Sequence, residues 1–544
     1  MLVQLSLALL FIQAPETEKL ATLEGTVTHA ASQTPLRKAT VHLFAAPAAD
    51  AGTAVTGNDG KFIFKDLKPG RYRLTAERNG YGSTAYGAAR PGDQRGQMIR
   101  VTPGAALTGL TIALPKYGVI AGKVLDPDGE PAENGQVVAY TRMYINGRRV
   151  FAARTQSARI DDQGSFRIGQ LPPGQYVVCA TPAPASGMTP GLKAGAPAVE
   201  ESPVATCYPN ITRVSEAPQF EIGDATELPG TDIRLAKAKT VTVQGQITGL
   251  ALPPGSPMPG LVLSDENSGV QGYGFGNRSA AVNSNGKFTF RNVVPGSYVL
   301  QSNPGGPSAK TVAIKARIEV GELPVTDLQV PALAPITLKA RLQMEEAAAG
   351  TDAAKNRNVP RLLLAPAEGL MLMSSAGTAD GEGNVTFENL VPGRYRLMIG
   401  NAALTHYVRE IRLGSQLVTG DEVDLTSPQD TLSVSLALGK SKVRGLVKDA
   451  QGEPFAGAAV VLIPAPRRPF RSKLVQTDQD GMFGIAWVPP GDYYLGAFDR
   501  IENGALEDDE FLKPYLSKMT KIQVGDDSSE RFELNVLTAS GPRN

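Results

Sequence analysis

One pattern recurs five times along the 544 residues and limits what this chain can fold into. The first copy is Asn58-Asp59-Gly60-Lys61-Phe62-Ile63-Phe64, followed by Leu67-Lys68-Pro69-Gly70-Arg71-Tyr72. The second runs from Asp162-Gln163-Gly164-Ser165-Phe166 to Leu171-Pro172-Pro173-Gly174-Gln175-Tyr176. The third runs from Ser284-Asn285-Gly286-Lys287-Phe288 to Val293-Val294-Pro295-Gly296-Ser297-Tyr298. The fourth runs from Gly381-Glu382-Gly383-Asn384-Val385 to Leu390-Val391-Pro392-Gly393-Arg394-Tyr395. The fifth runs from Gln479-Asp480-Gly481-Met482-Phe483 to Val488-Pro489-Pro490-Gly491-Asp492-Tyr493. In every copy the second glycine comes ten residues after the first, and a tyrosine comes two residues after the second.

Asp-Gly and Asn-Gly supply the positive φ of a tight turn. The Pro-Gly pair predicts a type II turn, with its glycine at positive φ as well. Between the turns, Phe62 and Phe64 alternate with Lys61 and Lys65, so one face of a strand is buried. Tyr72, Leu74 and Ala76 share the inward face of the next strand, and Tyr72, Tyr176, Tyr298, Tyr395 and Tyr493 read as core or corner residues. A lone hairpin is not stable in water, so each copy needs a second sheet. The extra strands are visible. A glycine-centred strand precedes each copy (Leu23 to Val27, Ile120 to Val124, Val243 to Ile247, Val443 to Val447), with Leu338 to Leu342 lacking the glycine. A closing strand ends each unit (Leu110 to Leu114, Asp232 to Leu235, Leu328 to Val330, Leu432 to Leu436, Phe532 to Val536). About seven short strands in roughly 100 residues describe a two-layer sandwich.

The glycine strands (Gly25, Gly122, Gly445), the Asp-Gly-x-Phe turn and the Leu-x-Pro-Gly-x-Tyr turn resemble the carboxypeptidase regulatory-like domain. That domain belongs with the transthyretin-like and carbohydrate-binding-like sandwiches. The resemblance implies an all-β fold: a tandem array of about five seven-stranded transthyretin-like or immunoglobulin-like β-sandwich domains. The expected division is 1–17 signal peptide, then sandwiches over 18–115, 116–236 (with a long loop), 237–332, 333–438 and 439–544. It also implies an exported bacterial repeat protein. The family's domain usually accompanies a peptidase or an outer-membrane transporter, and no such partner is read here. Glu510 to Tyr515 is similar to a C-terminal element of such repeat proteins. One helix is expected, over Ala505 to Lys518, with Pro514 breaking or kinking it.

Lys+Arg 54 against Asp+Glu 53 leaves a net charge of +1, and no nucleic-acid footprint stands out. The densest local basic group is Arg467, Arg468, Arg471 and Lys473. The apolar stretch Leu5 to Ile12 is too short to span a bilayer and suits a signal-peptide core, although no Lys or Arg precedes it. Cleavage is expected near Ala14 to Glu18, with export to the periplasm, cell surface or medium. No other run of 18 apolar residues occurs, so no transmembrane span is expected in the mature chain.

Catalytic patterns are missing from the sequence. None of the three histidines, His29, His42 and His406, begins a His-x-x-Glu pair, and there is no Gly-x-Ser-x-Gly elbow. The Asp-rich turns Asp161-Asp162 and Asp478-Gln479-Asp480 invite calcium, but the twelfth loop positions are Pro172 and Pro489, not carboxylates. They read as tight turns. No cofactor is expected, structural calcium being the one left open. Lys123 and Asn535 could form an isopeptide cross-link only across different domains. Loop aromatics Tyr81, Tyr86, Tyr144, Tyr273 and Phe275 are candidates for ligand contact, and Trp487 for packing at a turn. Cys179 and Cys207 are the only cysteines, and a disulfide between them would tether the Pro-, Ala- and Gly-rich excursion from Thr181 to about Val204. The sequence therefore points to a non-catalytic exported spacer, scaffold or adhesin whose partner is a protein or cell-surface glycan. The alternative is a carbohydrate-binding protein using the loop aromatics.

Overall fold

A computed structural model describes residues 19–46, 49–145, 147–182, 199–250, 258–271, 275–302, 314–346, 360–367, 375–400, 405–426, 431–467 and 471–539. The expected signal peptide, Tyr273 and Arg468 lie outside the described residues. The fold is all-β. The chain divides into two compact bodies, residues 1–114 and 115–544.

In the first body the opening strand Ala21–His29 lies between two partners. It runs antiparallel to the hairpin strand Lys61–Leu67 and parallel to the closing strand Ala106–Leu114. The second sheet holds Thr40–Ala45 between Ala49–Val55 and Gly70–Glu77. Burial alternates along both hairpin strands, as period two requires. Leu23, Val27, Phe62 and Phe64 from one layer meet Val41, Leu43, Tyr72 and Leu74 from the other in one core.

The second body repeats this plan. Opening strands Gly118–Leu125, Lys237–Thr248, Ile336–Met344 and Ser441–Lys448 run parallel to closing strands Ile233–Arg234, Val325–Pro331, Leu432–Leu438 and Ser529–Leu537. Four apolar clusters each collect the inward residues of one sequence repeat.

The opening-strand glycine has a packing cause. Gly25, Gly122, Gly245 and Gly445 sit opposite Phe62, Phe166, Phe288 and Phe483 on the hairpin strand. A Cβ on Gly25 would lie 2.4 Å from Leu110 O and 2.5 Å from the Phe62 ring. On Gly445 it would lie 2.0 Å from Phe532 O. The fourth repeat has Ala340 in this place, and its partner is Val385 rather than phenylalanine. The added methyl is matched by a smaller neighbour, which keeps the packed volume nearly constant.

The first turn glycine carries the positive φ. Gly60, Gly164, Gly286, Gly383 and Gly481 lie at φ +72, +74, +76, +84 and +70. Each carbonyl accepts from an opening-strand N–H, that of Val27, Val124, Ile247, Leu342 or Val447. The second turn departs from expectation. Gly70, Gly174, Gly296 and Gly393 lie outside the left-handed region, and only Gly491, at φ +147, lies within it. These four begin or directly precede extended hairpin strands. A Cβ on Gly70 would make only ordinary contact with Tyr72, at 3.5 Å. The left-handed residue comes earlier, at Asp66, Gln170, Asn292 and Trp487, each just before the last residue of its strand. There the pairing with the opening strand shifts register, the mark of a β-bulge.

The repeated tyrosines close the corner. The hydroxyls of Tyr72, Tyr176, Tyr298, Tyr395 and Tyr493 donate to the carbonyls of Lys68, Pro172, Val294, Val391 and Pro489, at 2.6–2.9 Å. Each phenol thus satisfies its own polar end while its ring stays buried.

Candidate functional site

The repeats differ most in the segment after the second hairpin strand, and that segment decides which outward surfaces remain exposed. In the first repeat, the outer face of the sheet carries His42, Phe44, Arg73 and Glu77. Arg73 stands 5.3 Å from the Phe44 ring centroid, and His42 reaches Glu77 at 3.4 Å. Such a face is at home in water.

In the second repeat the equivalent face is apolar. Val138, Tyr140, Phe151, Val177 and Cys179 are buried there beneath Ala205, Cys207, Val214 and Ala217. Cys179 lies on the face opposite Tyr176, Val178 and Ala180, which enter the inner core. It is bonded to Cys207, 28 residues on. The fifth repeat covers Val461, Ile463 and Phe498 with Leu506, Phe511, Leu512 and Tyr515. The helix expected over 505–518 is a short 3-10 turn, Ala505–Glu507, and then a helix over Asp509–Leu516. Asp508 separates them because its carboxylate caps the helix, accepting from the N–H groups of Glu510 and Phe511. Pro514 lies inside and the helix ends two residues later.

The loop aromatics are placed differently from expectation. Tyr144 and Phe275 are buried, 8 % and 6 % exposed, and do not face solvent. Tyr144 packs against Phe511 of the fifth repeat, ring centroids 6.0 Å apart. The N–H of Phe275 donates to the Tyr140 hydroxyl at 3.0 Å, and the Phe275 ring stands against the Tyr140 ring. Burial pushes the Tyr140 phenol up to about 12, against the opposing effect of that N–H. Phe275 looks exposed in the sequence because Gly274 and Gly276 flank it, Tyr144 because Asn146-Gly147 follows closely, and the partners of both are remote along the chain. Tyr81 and Tyr86 remain half-buried, packed at the margin of the first core. Trp487 is half-buried at its bulge, and its carbonyl accepts from Lys473 Nζ at 2.6 Å.

The acidic turns satisfy themselves. Asp161 Oδ1 accepts from the N–H groups of Gln163 and Ser165, and Asp478 Oδ1 from those of Asp480 and Met482. Asn283 and Asp380 do the same in the third and fourth repeats. The N–H of Asn384 holds the Asp380 carboxyl below the usual range. Among the described residues no three of His, Cys, Asp and Glu gather closely enough to hold a metal ion. His29, His42 and His406 bond separately, to Ser32, Glu77 and the Glu345 carbonyl. Lys123 and Asn535 belong to different opening and closing strands and are not brought together. Desolvation pushes Lys473 down to about 8, and its Nζ donates to the carbonyls of Ala486 and Trp487. In the same basic group, Arg467 pairs with Asp509 and donates to Leu506 O at 2.7 Å, while Arg471 donates to Val408 O at 3.3 Å.

No helix among the described residues is long and apolar enough to cross a membrane. No curated protein matches the chain by sequence. Among solved structures, the chain is similar to the Bacillus anthracis TIE protein at 10% identity and TM-score 0.14, covering 78% of this chain and 74% of that one. It is similar to BcpA, the major pilin subunit of Bacillus cereus, at 12% identity and TM-score 0.15, covering 58% and 99%. It is similar to two B repeat units of the collagen binding protein of Staphylococcus aureus at 10% identity and TM-score 0.14, covering 77% and 100%. Residues 22–115 match the model of the carboxypeptidase regulatory-like domain, the same residues whose paired glycines and corner tyrosine build the first sandwich. The chain therefore carries a carboxypeptidase regulatory-like domain, at its first repeat.

Proposed function

We propose that this protein is a non-catalytic spacer or scaffold that works outside the cytoplasm, built from five tandem sandwiches divided near residues 116, 237, 333 and 439. One observation carries the reading: the groups best suited to ligand chemistry take part in holding the fold together. The turn carboxylates cap their own turns, the corner phenols bond their own turn carbonyls, and Tyr144 and Phe275 join repeat to repeat. The joints support stiffness. Between the fourth and fifth repeats, Arg471 donates to Val408 O at 3.3 Å, and Lys440 pairs with Glu345, which within the fourth repeat also pairs with Arg409 and accepts from the N–H of Leu438. Those partners hold the Glu345 carboxyl below its usual range, the Leu438 N–H foremost.

Export is supported by the disulfide, which persists in an oxidising compartment. Leader removal near Ala14 to Glu18 belongs to the same proposal. The test is fractionation of the native cell with N-terminal sequencing, together with single-molecule stretching of the purified chain. A scaffold outside the cytoplasm gives a processed N-terminus in an exported fraction and successive discrete unfolding events. Cytoplasmic material with Met1 intact would overturn the export reading. A second reading, glycan binding, is favoured by Tyr81 and Tyr86, the loop aromatics that remain half-exposed. A glycan array with a Tyr81→Ala, Tyr86→Ala control separates the two.

A further inference from the structure

The segment Val199 to Cys207 belongs to two repeats at once. Val199–Pro203 pairs antiparallel with the opening strand of the third repeat, Val199 opposite Val241 and Pro203 opposite Lys237. Three residues later, Thr206–Cys207 pairs antiparallel with the second hairpin strand of the second repeat, Cys207 opposite Cys179. The turn between these pairings is tied to the chain's crossing point. Val204 N–H donates to Ala236 O at 3.0 Å, and Ala236 N–H donates to Thr206 Oγ1 at 2.9 Å. Thr240 Oγ1 lies within reach of Glu200 O and Ser202 Oγ, and Thr206, Thr240 and Ser202 are all buried.

A second set of contacts joins the same two repeats. Phe151 and Ala152, on the edge strand of the second repeat, pair in parallel with Val270 and Gln271 of the third. Phe275 then closes over Tyr140, completing the cluster that also contains Cys179, Ala205 and Cys207. The disulfide therefore lies in the outer cluster of the second repeat, to which the third contributes Phe275 and Val270, rather than in the inner core of either.

We infer that the Cys179–Cys207 bond locks the second and third repeats into one cooperative unit, and that breaking it releases the shared segment and uncouples them. This rests on the geometry alone and holds whether or not the spacer reading does. The strand Val199–Pro203 carries two exposed glutamates and little apolar surface of its own. Its pairing with the third repeat is maintained because Cys207 fixes its end, which removes the freedom the segment would otherwise recover on opening. Reduction requires an external dithiol. Two electrons and two protons pass to the sulfurs of Cys179 and Cys207, the S–S bond breaks, two thiols form, and the dithiol closes to its own cyclic disulfide. Both cysteines are at most 1 % exposed, so the exchange requires a local opening of the cover.

Hydrogen exchange of the full chain, read by mass spectrometry, tests the lock. The arms are the oxidised protein, the same protein prepared and held in a dithiol, and a Cys179→Ala, Cys207→Ala double variant. In the last two arms, exchange should rise at least about tenfold in Val199–Pro203, Lys237–Val241 and Val270–Gln271. The inner-core strands Ser165–Leu171 and Lys287–Val293 should stay within about twofold of the oxidised protein. Unchanged exchange across the shared segment in both arms would overturn the inference. An equal rise in the inner-core strands, or failure of both arms to fold, would do so too, because the bond would then support a repeat's own core rather than the coupling.

Discussion

The first and fifth repeats share one hairpin, one corner tyrosine and one strand order at their centres, yet present opposite outer faces. The first keeps Phe44 at the surface beneath Arg73 and beside His42. The fifth puts Val461, Ile463 and Phe498 in the same place and covers them with Leu512, Phe511 and Tyr515. The inner face is thus set by the repeated hairpin, and the outer face by whatever each repeat inserts after its second strand. The fourth repeat shows a third use of that insertion. There His406–Leu413 pairs with the closing strand and extends the opposite sheet.

The largest expected effect breaks this comparison from the covered side. Leu512→Ala removes a fully buried side chain and should destabilise the fifth repeat by about 3 kcal/mol, whereas Phe44→Ala should change the first by less than about 1 kcal/mol. Exchange rates of the Val461 and Phe498 amides, set against those of Leu43 and Leu74, read the difference. Equal effects would mean that the covers contribute nothing.

Next comes a pair within the first repeat. Gly60→Val introduces a β-branched residue at φ +72, with its Cβ 2.7 Å from Val27 O, and should destabilise by about 3 kcal/mol. Gly70→Val meets neither problem and should change stability by less than about 1 kcal/mol. Proteolysis of the native full chain, mapped to residues 22–115, distinguishes them. If Gly70→Val proves the more damaging, the turn assignment is wrong.

A smaller effect is read through pH. Burial lowers Lys473 from 10.5 to about 8, so the folded state resists its charge. Between those values the unfolded chain holds the proton and the folded chain does not, so stability rises with pH across that window. Between pH 8 and about 9.5, the lower part of that window, the expected gain for the fifth repeat is about 1–2 kcal/mol, present in wild type and lost in Lys473→Met. Denaturation monitored by exchange in Lys473–Gln476 at pH 8 and above checks it. A flat wild-type profile would contradict the desolvation.

The smallest effect should be blind to the comparison. Tyr72→Phe and Tyr493→Phe each lose one hydroxyl donation, to Lys68 O and Pro489 O, and should each cost about 1 kcal/mol. Matched thermal shifts in covered and uncovered repeats would place the corner on the common side of the comparison. Unequal shifts would show that the covers reach it.

The hairpins are legible in sequence because turn chemistry and period-two alternation agree within a dozen residues. The disulfide is legible because only two cysteines exist and parity turns Cys179 away from Tyr176. The cover of the second repeat is not, since Ala205, Val214 and Ala217 keep to no period and occur in one repeat only. Glu200 and Glu201 conceal a strand whose pairing partner belongs to the next repeat. The bulge residue is hidden because Trp487 breaks the run of carboxyl and amide side chains that Asp66, Gln170 and Asn292 make at this position. Proline at the second turn suggests a left-handed glycine, but the chain has already changed direction at the bulge. The glycine strand does carry a sequence signal: where Ala340 replaces glycine, Val385 replaces phenylalanine.

The strand shared by the second and third repeats also affects how such an array can change its copy number. Tandem modules are ordinarily duplicated or deleted one at a time, since each brings a complete core. Here a deletion that began at residue 237 would leave Val199–Pro203 without its acceptor, and one that ended at residue 236 would leave the edge of Lys237–Val241 bare. An exposed edge of that kind invites pairing between chains. Recombination should therefore treat residues 116–332 as one cassette, gained or lost whole.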